Sequence, residues 1–202
     1  CVAVFSGRPG TSCAGARVRE PFGAWGVTLT VDLGGGSWRP GVEGRAISAG
    51  ASRAYVVDAR ARFVTDFVWP HLQANALYQG AYPLATALAR PLIAQLLVEV
   101  AKRAGADAVA HGCTGKGNDQ VRFDVATHAL DPGLEVVAPM RVGMGLTRDQ
   151  EIDYAAERGI EIPITKASPY SIDVNLWGRS CETGVLEDPW VTPPADAYDW
   201  TV

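Results

Sequence analysis

The chain has 202 residues, of which 48% are hydrophobic and 20% charged, and its net charge at pH 7 is −4. This length and composition suit one large domain, or one domain with a fragment of a second. The acidic balance, with no lysine or arginine cluster longer than two or three residues, argues against a nucleic-acid-binding surface. No apolar run approaches the length of a membrane span. The four cysteines form no C-x-x-C pair, so we expect a cytoplasmic protein with reduced thiols, without a zinc site or a disulfide framework.

Apolar runs and helical patterns alternate along the first 165 residues. Leu88, Leu92, Leu96 and Val100 recur every four positions, which makes 84–104 the strongest helical segment. The predicted strands are 1–5, 26–31, 54–57, 108–111, 135–138 and 162–165. After the second strand we predict a flexible run, Gly34-Gly35-Gly36. The predicted helices are 13–20, 42–50, a segment capped by Asp58 and containing Pro70, 84–104, a segment that follows the glycines of 112–117 and is stopped after Leu130 by Asp131-Pro132-Gly133, and 147–158. This alternation predicts an α/β fold, a Rossmann-like doubly wound parallel sheet covered by helices on both faces.

The pattern changes after Thr165. Residues 166–202 are rich in Pro, Trp, Ser and Asp and show no sustained periodicity. We therefore predict one α/β domain over 1–165, followed over 166–202 by an arm or the beginning of a second domain.

The stretch from His111 to Phe123 reads His-Gly-Cys-Thr-Gly-Lys-Gly-Asn-Asp-Gln-Val-Arg-Phe and lies where a predicted strand gives way to a helix. Glycines at such a position let the backbone approach an anion and direct free N–H groups toward it. A second glycine-containing loop, 6–12, follows the first strand, and ligands of parallel sheets bind beyond the carboxyl ends of the strands. We therefore expect both loops to face one crevice. Within the motif, a structural imidazole is the favoured interpretation of His111, and Cys113 is predicted to be a packing residue.

The stretch 111–123 resembles the bacterial form of the argininosuccinate synthase family, as do Ala-Asn-Ala-Leu-Tyr (74–78), Leu-Ala-Arg-Pro-Leu-Ile-Ala (88–94) and the segment 175–189 beginning Asn-Leu-Trp-Gly-Arg-Ser. The resemblance covers essentially the whole chain. It implies a nucleotide domain of the N-type ATP pyrophosphatase (adenine-nucleotide alpha-hydrolase) type, followed by the start of a synthetase domain. It also implies an ATP-dependent ligase that joins citrulline to aspartate through a citrullyl-AMP intermediate, with Mg²⁺ carried on the ATP.

The resemblance assigns roles to individual positions. Aspartate binding falls to Thr114, Asn118 and Asp119. Citrulline binding falls to Tyr82, Asn118, Arg122, Ser171 and Ser180. Nucleotide binding falls to Ser6, Gly7, Thr11, Ser12, Gly112, Gly115 and Gly117. Lys116 and Asp119 are the expected catalytic residues, which act by electrostatics and positioning, with no side-chain nucleophile and no resident metal ion.

The chain departs from the family pattern in its first loop. Family members carry Ser-Gly-Gly-Leu-Asp-Thr-Ser after the first strand, and three successive positions here are Arg8, Pro9 and Gly10. Arg8 adds a Cβ where the backbone approaches pyrophosphate, Pro9 removes an N–H donor, and Gly10 removes a carboxylate. The resemblance also implies that most of the synthetase domain, including the arm that builds the family's homotetramer, is absent from this chain. We therefore expect little or no turnover.

Three hypotheses about function remain open at this point. The first is that the chain is an active ligase of the argininosuccinate synthase family. The second is that it is a catalytically impaired relative that still binds aspartate, citrulline or nucleotide. The third hypothesis is a nicotinamide-dependent oxidoreductase on a related fold.

Overall fold

A computed structural model describes residues 1–6, 26–35, 41–115, 117–141, 150, 153, 156–157, 170–198 and 200. Its centre is a five-stranded sheet in the order β3-β2-β1-β4-β5, in which every neighbouring pair is parallel. The strands are β1 (Val2–Val4), β2 (Val27–Asp32), β3 (Arg53–Asp58), β4 (Ala108–Ala110) and β5 (Glu135–Val137). The predicted parallel α/β sheet is thus confirmed, and five of the six predicted strands are present within a residue or two of their expected bounds.

Helices cover both faces of this sheet. They are α1 (Val42–Ser48), α2 (Arg60–Phe63), α3 (Trp69–Gln73), α4 (Ala85–Ala104) and α5 (Asp119–Leu130). Alternate residues of β3 pack in opposite directions, since Val56 lies against α1 whereas Val57 lies in the main core with α4. The predicted helix 13–20, most of 147–158 and the strand 162–165 lie outside the described residues. No helix in the described part of the chain is long and apolar enough to cross a membrane.

Helix α4 forms the centre of the main core. Leu92, Leu97 and Val100 are fully buried against Leu29 of β2 and Val109 of β4. The four-residue spacing of its apolar side chains therefore predicts the correct face. The helix ends at Gly105, whose φ of 61° is the left-handed conformation that glycine adopts without strain.

The helix after β3 differs from its sequence-based expectation at two points. Ala59, not Asp58, is the N-cap residue, although the Asp58 carboxylate accepts hydrogen bonds from the backbone N–H and the guanidinium of Arg60. Before Pro70 the backbone widens into a π-helical turn over Val64–Val68 and returns to α geometry at Trp69–Gln73. Proline donates no N–H, so the ordinary i to i−4 bond at this position cannot form, and the chain continues as a helix with altered spacing.

The segment 166–202, which shows no sustained periodicity, nevertheless contains an antiparallel hairpin, β6 (Ser171–Asn175) and β7 (Gly178–Glu182). Its tip packs against the loop after β2, where the Leu176 N–H donates to the Leu33 carbonyl oxygen at 2.8 Å. A Cβ atom at Gly35 would overlap the backbone of Val174, and one at Gly34 would overlap the Leu176 side chain. These two glycines, predicted to belong to a flexible run, are therefore the contact surface on which the hairpin tip rests.

Candidate functional site

The candidate site lies where the order of the parallel strands reverses. Strands β1 and β4 are neighbours in the sheet, with Val2 opposite Val109 and Ala3 opposite Ala110. Because the strands are parallel, the loops that follow them begin at the same edge, which is the usual ligand position of a doubly wound sheet. This geometry is consistent with the prediction that the loop 6–12 and the motif 111–123 face one crevice. Of the first loop, Ser6 is described and exposed, whereas the predicted nucleotide contacts Gly7, Thr11 and Ser12, and also Lys116 of the motif, lie outside the described residues.

His111, at the base of the motif, is buried and has hydrogen-bond partners at both ring nitrogens. Nδ1 accepts the backbone N–H of Cys113 at 3.3 Å, so Nε2 carries the proton and donates to the Asp124 carboxylate at 3.0 Å. The ring also stacks on Phe123, with 5.3 Å between ring centroids. This environment agrees with the structural interpretation of His111. Burial lowers the pKa of His111, and the hydrogen bond with Asp124 opposes this shift without cancelling it, so the ring is neutral near pH 7.

Asp124 connects His111 to the loop that carries the glycines. Arg141, just after β5, donates to Asp124 at 2.5 Å and to the side-chain oxygen of Gln120 at 3.2 Å. The Gln120 amide in turn donates to the Gly115 carbonyl oxygen at 2.7 Å. Burial alone would raise the pKa of Asp124, but hydrogen bonds from Arg141 and His111 lower it below its ordinary value. An unbroken series of hydrogen bonds therefore links His111 through Asp124, Arg141 and Gln120 to the backbone of Gly115 and stabilises the loop.

The loop itself is open on its outer side. Thr114, Gly115, Gly117 and Asn118 are exposed. Among the described residues, a Cβ atom at Gly117 would meet no atom within 4 Å and one at Gly115 would make only an ordinary contact with Arg141, and neither glycine has a left-handed φ. Neither packing against the described residues nor backbone conformation therefore requires glycine at these two positions.

Cys113 lies beside His111 in this loop and packs against the main core. Burial raises the pKa of its thiol to about 12. A thiol with this pKa is protonated at neutral pH and is a poor nucleophile. The prediction that Cys113 is a packing residue agrees with this environment.

Charged side chains converge at the N-terminus of α5. One oxygen of Asp119 accepts a hydrogen bond from Arg122 at 2.7 Å, and the other accepts one from Arg90 of α4 at 2.7 Å. Arg90 also contacts Asp173 of β6 at 2.9 Å. Burial by itself would lower the pKa of Arg90, but the carboxylates of Asp173 and Asp119 raise it above its ordinary value. Four alternating charges, in the order Arg122, Asp119, Arg90 and Asp173, thus run from α5 to the hairpin.

The hairpin residues that the resemblance assigns to citrulline lie close to this charged row. The Ser180 hydroxyl is 3.1 Å from that of Thr86, which lies one helical turn before Arg90, and Ser180 is the cross-strand partner of Asp173. Ser171 lies two residues along β6 from Asp173, and its N–H donates to the Thr183 hydroxyl at 3.0 Å. Tyr82 precedes α4 and forms an antiparallel bridge with Tyr78. The structure therefore brings Asn118, Asp119, Arg122 and Ser180 into one region, with Ser171 two residues from Asp173 along β6, whereas Tyr82 lies in the segment before α4.

Sequence reasoning did not single out several residues that organise this region: Thr86, Arg90, Gln120, Asp124, Arg141 and Asp173. Arg90 could have been noticed, because it interrupts an otherwise apolar stretch of the strongest predicted helix. Asp173 is a polar residue between the apolar Ile172 and Val174. This alternation with a period of two also indicates the strand β6, which was not predicted. Arg141 carries no comparable local signal. Among the described residues, no group of three or more His, Cys, Asp or Glu side chains could hold a metal ion.

The buried His111 predicts a specific dependence of stability on pH. Its pKa is lowered in the folded chain, so the unfolded chain binds more protons as the pH falls below the unfolded value of about 6.5. The contribution of His111 to stability is therefore complete above that pH and is lost as the pH falls toward the lowered folded pKa. We expect the free energy of unfolding, measured with urea between pH 5 and 8, to decline by no more than about 1.4 kcal/mol per pH unit from this group.

His111→Gln should flatten this part of the pH profile. His128→Gln, at an exposed histidine on α5, is the matched control and should leave the slope unchanged. An unaltered slope in His111→Gln would mean that His111 does not carry the effect.

Comparison with known proteins gives two adjacent family matches. Residues 1–161 match the model described as "Arginosuccinate synthase N-terminal HUP domain", and residues 170–202 match "Arginosuccinate synthase C-terminal domain". A HUP domain is a Rossmann-like nucleotide fold, which agrees with the five-stranded parallel sheet. The second match covers the beginning of the C-terminal domain. The domain boundary predicted after Thr165 stays a prediction.

Individual relatives named argininosuccinate synthase align over nearly the whole chain. The chain is 54% identical to the protein of Symbiobacterium thermophilum over 100% of its length, 52% identical to that of Brevibacillus brevis over 99%, and 50% identical to that of Dictyoglomus thermophilum over 99%. It covers 50%, 48% and 50% of these proteins respectively, so the chain spans about half the length of the relatives it matches. The family predicted from the motif is therefore confirmed: this chain belongs to the argininosuccinate synthase family.

Proposed function

We propose that this chain carries the ATP, aspartate and citrulline sites of a ligase that joins citrulline to aspartate for arginine biosynthesis. In this reaction the ureido oxygen of citrulline forms a bond to the α-phosphorus of ATP, and pyrophosphate leaves. The aspartate amine then attacks the ureido carbon, AMP leaves with the oxygen, and the amine releases a proton. The ligands are small molecules, with Mg²⁺ entering on ATP, and the proposed location is the cytoplasm.

The observation that carries this proposal is the common edge of β1 and β4, with α5 beginning after the loop that follows β4. The N-terminus of α5 and its preceding loop supply backbone N–H groups and a partial positive charge. These groups suit the phosphates of ATP, and of the described residues only Arg141 lies within 4 Å of a Cβ position built at Gly115 or Gly117. In the proposed assignment Ser6, Gly7, Thr11, Ser12 and Gly112 complete the nucleotide site, and Lys116 offsets the charge that develops on the phosphates.

The charged row beside this loop suits two amino-acid ligands. In the proposed assignment the aspartate substrate contacts Thr114, Asn118 and Asp119, with the Asp119 carboxylate receiving its ammonium group. The carboxylate of citrulline contacts the guanidinium of Arg122. Tyr82, Ser171 and Ser180 complete the citrulline site. This assignment is supported by the convergence of the described members of both sets on the first turn of α5 and the adjoining hairpin.

A second candidate function is binding without appreciable turnover. It is favoured by Arg8, Pro9 and Gly10, which replace a glycine, a leucine and an aspartate of the family loop. The backbone N–H lost at Pro9 is a donor that can stabilise negative charge in the transition state, and removing one such group typically costs about 10²–10³ in rate. The family assignment leaves the nicotinamide-dependent hypothesis without support.

Pyrophosphate release in the presence of ATP, Mg²⁺, citrulline and aspartate distinguishes these functions. We expect release at least about 100-fold slower than that of a full-length relative assayed in parallel, together with measurable aspartate binding by calorimetry. The triple variant Arg8→Gly, Pro9→Leu, Gly10→Asp is the matched test of the loop and should raise the rate. Release at the relative's rate would refute the impaired function, and absence of aspartate binding would refute the assignment of the amino-acid site.

Replacement of Asn118 tests whether aspartate binds at the motif 111–123. Asn118→Ala removes one neutral hydrogen-bonding group, which is worth about 0.5–1.5 kcal/mol, so aspartate should bind roughly 2- to 10-fold more weakly. Calorimetric titration measures the change. Gln73→Ala, an exposed amide at the end of α3, should leave the affinity unchanged, and equal affinities in both variants would exclude Asn118 from the site.

A further inference from the structure

Arg90 joins three elements that are far apart in the sequence. It lies on α4, its Nε is 2.7 Å from Asp119 of α5, and its terminal nitrogen is 2.9 Å from Asp173 of β6. Its side chain is only 17% exposed. A guanidinium has a rigid fork of donors, so contact with one carboxylate fixes the direction of the donors that reach the other. Arg90 therefore connects the expected aspartate site mechanically to the hairpin.

Other contacts between α4 and the hairpin support the same geometry. Thr86, four residues before Arg90 on the same face of α4, contacts Ser180. The buried Asn175 side chain donates to the Ala85 carbonyl oxygen at 2.8 Å, and the Trp177 indole donates to the Pro83 carbonyl oxygen at 2.9 Å. Thr86, Ala85 and Pro83 contact only the hairpin through these bonds. Arg90 also contacts Asp119, the residue at which α5 begins.

We propose that Arg90 is a positioning residue that makes the orientation of Asp119 and the docking of the β6–β7 hairpin depend on each other. If Asp119 is removed, Arg90 and Arg122, which share its carboxylate, face each other as like charges. Arg90 then loses its fixed direction, and its bond to Asp173 weakens. Conversely, a ligand ammonium that binds the oriented Asp119 favours the docked hairpin by linkage. This last consequence depends on the proposed function, whereas the coupling between Asp119 and the hairpin does not.

Native-state hydrogen exchange of the backbone amides of β6 and β7 tests the coupling without a substrate. Arg90→Gln should accelerate their exchange about tenfold or more, and Asp119→Asn should also accelerate it, because each removes a charge from the hydrogen bond between Arg90 and Asp119. The double variant should exchange no faster than Arg90→Gln alone, since both changes break the same connection. Arg90→Lys, which keeps the charge but cannot form the fork, should give an intermediate rate.

Arg62→Gln is the matched control. Arg62 also bridges two elements, by contacts with Gln95 and Glu99 of α4, but it lies outside the charged row. It should leave hairpin exchange unchanged, and the amides of β2 and β3 report whether any variant has lost its fold. Normal hairpin exchange in Asp119→Asn would overturn the proposal, and so would a double variant in which the separate accelerations of the two single variants add in full.

Saturating aspartate provides the second readout. It should slow hairpin exchange roughly fivefold or more in the unsubstituted chain, and have no such effect in Arg90→Gln. If aspartate fails to bind while Asp119→Asn still accelerates exchange, the coupling stands and the proposed function fails. If aspartate binds but protects the hairpin equally in both chains, Arg90 is not the connection and the inference is wrong.

Discussion

Asp119→Asn is expected to weaken aspartate binding by about 10- to 100-fold. The carboxylate of Asp119 lies between Arg90 and Arg122, with one oxygen directed to each. In the proposed site it also receives the ammonium of the substrate, and a hydrogen bond to a charged group is worth about 1.5–3 kcal/mol. Asparagine preserves the shape and one acceptor oxygen but removes the charge. Calorimetric titration with aspartate measures the loss directly.

Asp131→Asn is the matched control for this experiment. Asp131 follows the last residue of the same helix, and its carboxylate contacts Lys102 at 3.2 Å. The substitution changes the net charge equally but lies at the opposite end of α5, so its effect on the site is largely screened and the affinity for aspartate should stay within about twofold. If Asp119→Asn binds aspartate as tightly as Asp131→Asn does, Asp119 does not contact the substrate.

Asn175→Ala is expected to lower the free energy of unfolding by roughly 2–4 kcal/mol. The Asn175 oxygen accepts the backbone N–H groups of Trp177 at 2.8 Å and Gly178 at 3.2 Å, and its amide donates to Ala85. The side chain is buried, so alanine leaves these groups without their partner in a region from which water is largely excluded. The same change should disturb the hairpin that carries Ser180. Urea unfolding followed by circular dichroism measures the loss of stability.

Gln73→Ala is a suitable control here as well, because it removes an exposed amide near the same region and should change the stability by no more than about 0.5 kcal/mol. A small effect in both variants would show that water or other backbone groups replace the Asn175 contacts. Unequal denaturant slopes would instead indicate that the hairpin detaches before the rest of the chain unfolds.

Most regular elements of the nucleotide domain were predictable because their signals are local. The apolar repeat of 84–104 identifies both α4 and its buried face, and the unbroken apolar run at 1–5 identifies β1. Helix α5 begins and ends as its glycine-rich start and its Asp131-Pro132-Gly133 stop indicate. The β6–β7 hairpin was missed because its alternating pattern is short and contains polar residues on both strands. Its stability depends on contacts with α4 and with the loop after β2, which no local pattern contains.

The candidate site was only partly predictable for the same reason. Asn118, Asp119 and Arg122 are close together in the sequence, around the first turn of α5, so the resemblance identifies all three at once. The role of Arg90 depends on partners 29 and 83 positions away. Gly34 and Gly35 were predicted to be flexible, because nothing in their own sequence shows that the hairpin backbone packs against them. The prediction for Asp58 was wrong by one position, since caps are set by backbone angles as well as by residue type.

The sequence by itself determined the alternating α/β elements, the glycine motif that starts α5, and membership of the argininosuccinate synthase family. These follow from periodicity and from short runs of specific residues, which act between neighbours along the chain. Only the tertiary structure decided that His111 is enclosed between Asp124 and Phe123, and that the hairpin rests on Gly34 and Gly35. It alone decided that Arg90 connects α5 to β6. Such contacts form between residues that approach only when the sheet and α4 have packed, and their energies depend on burial that the folded chain creates.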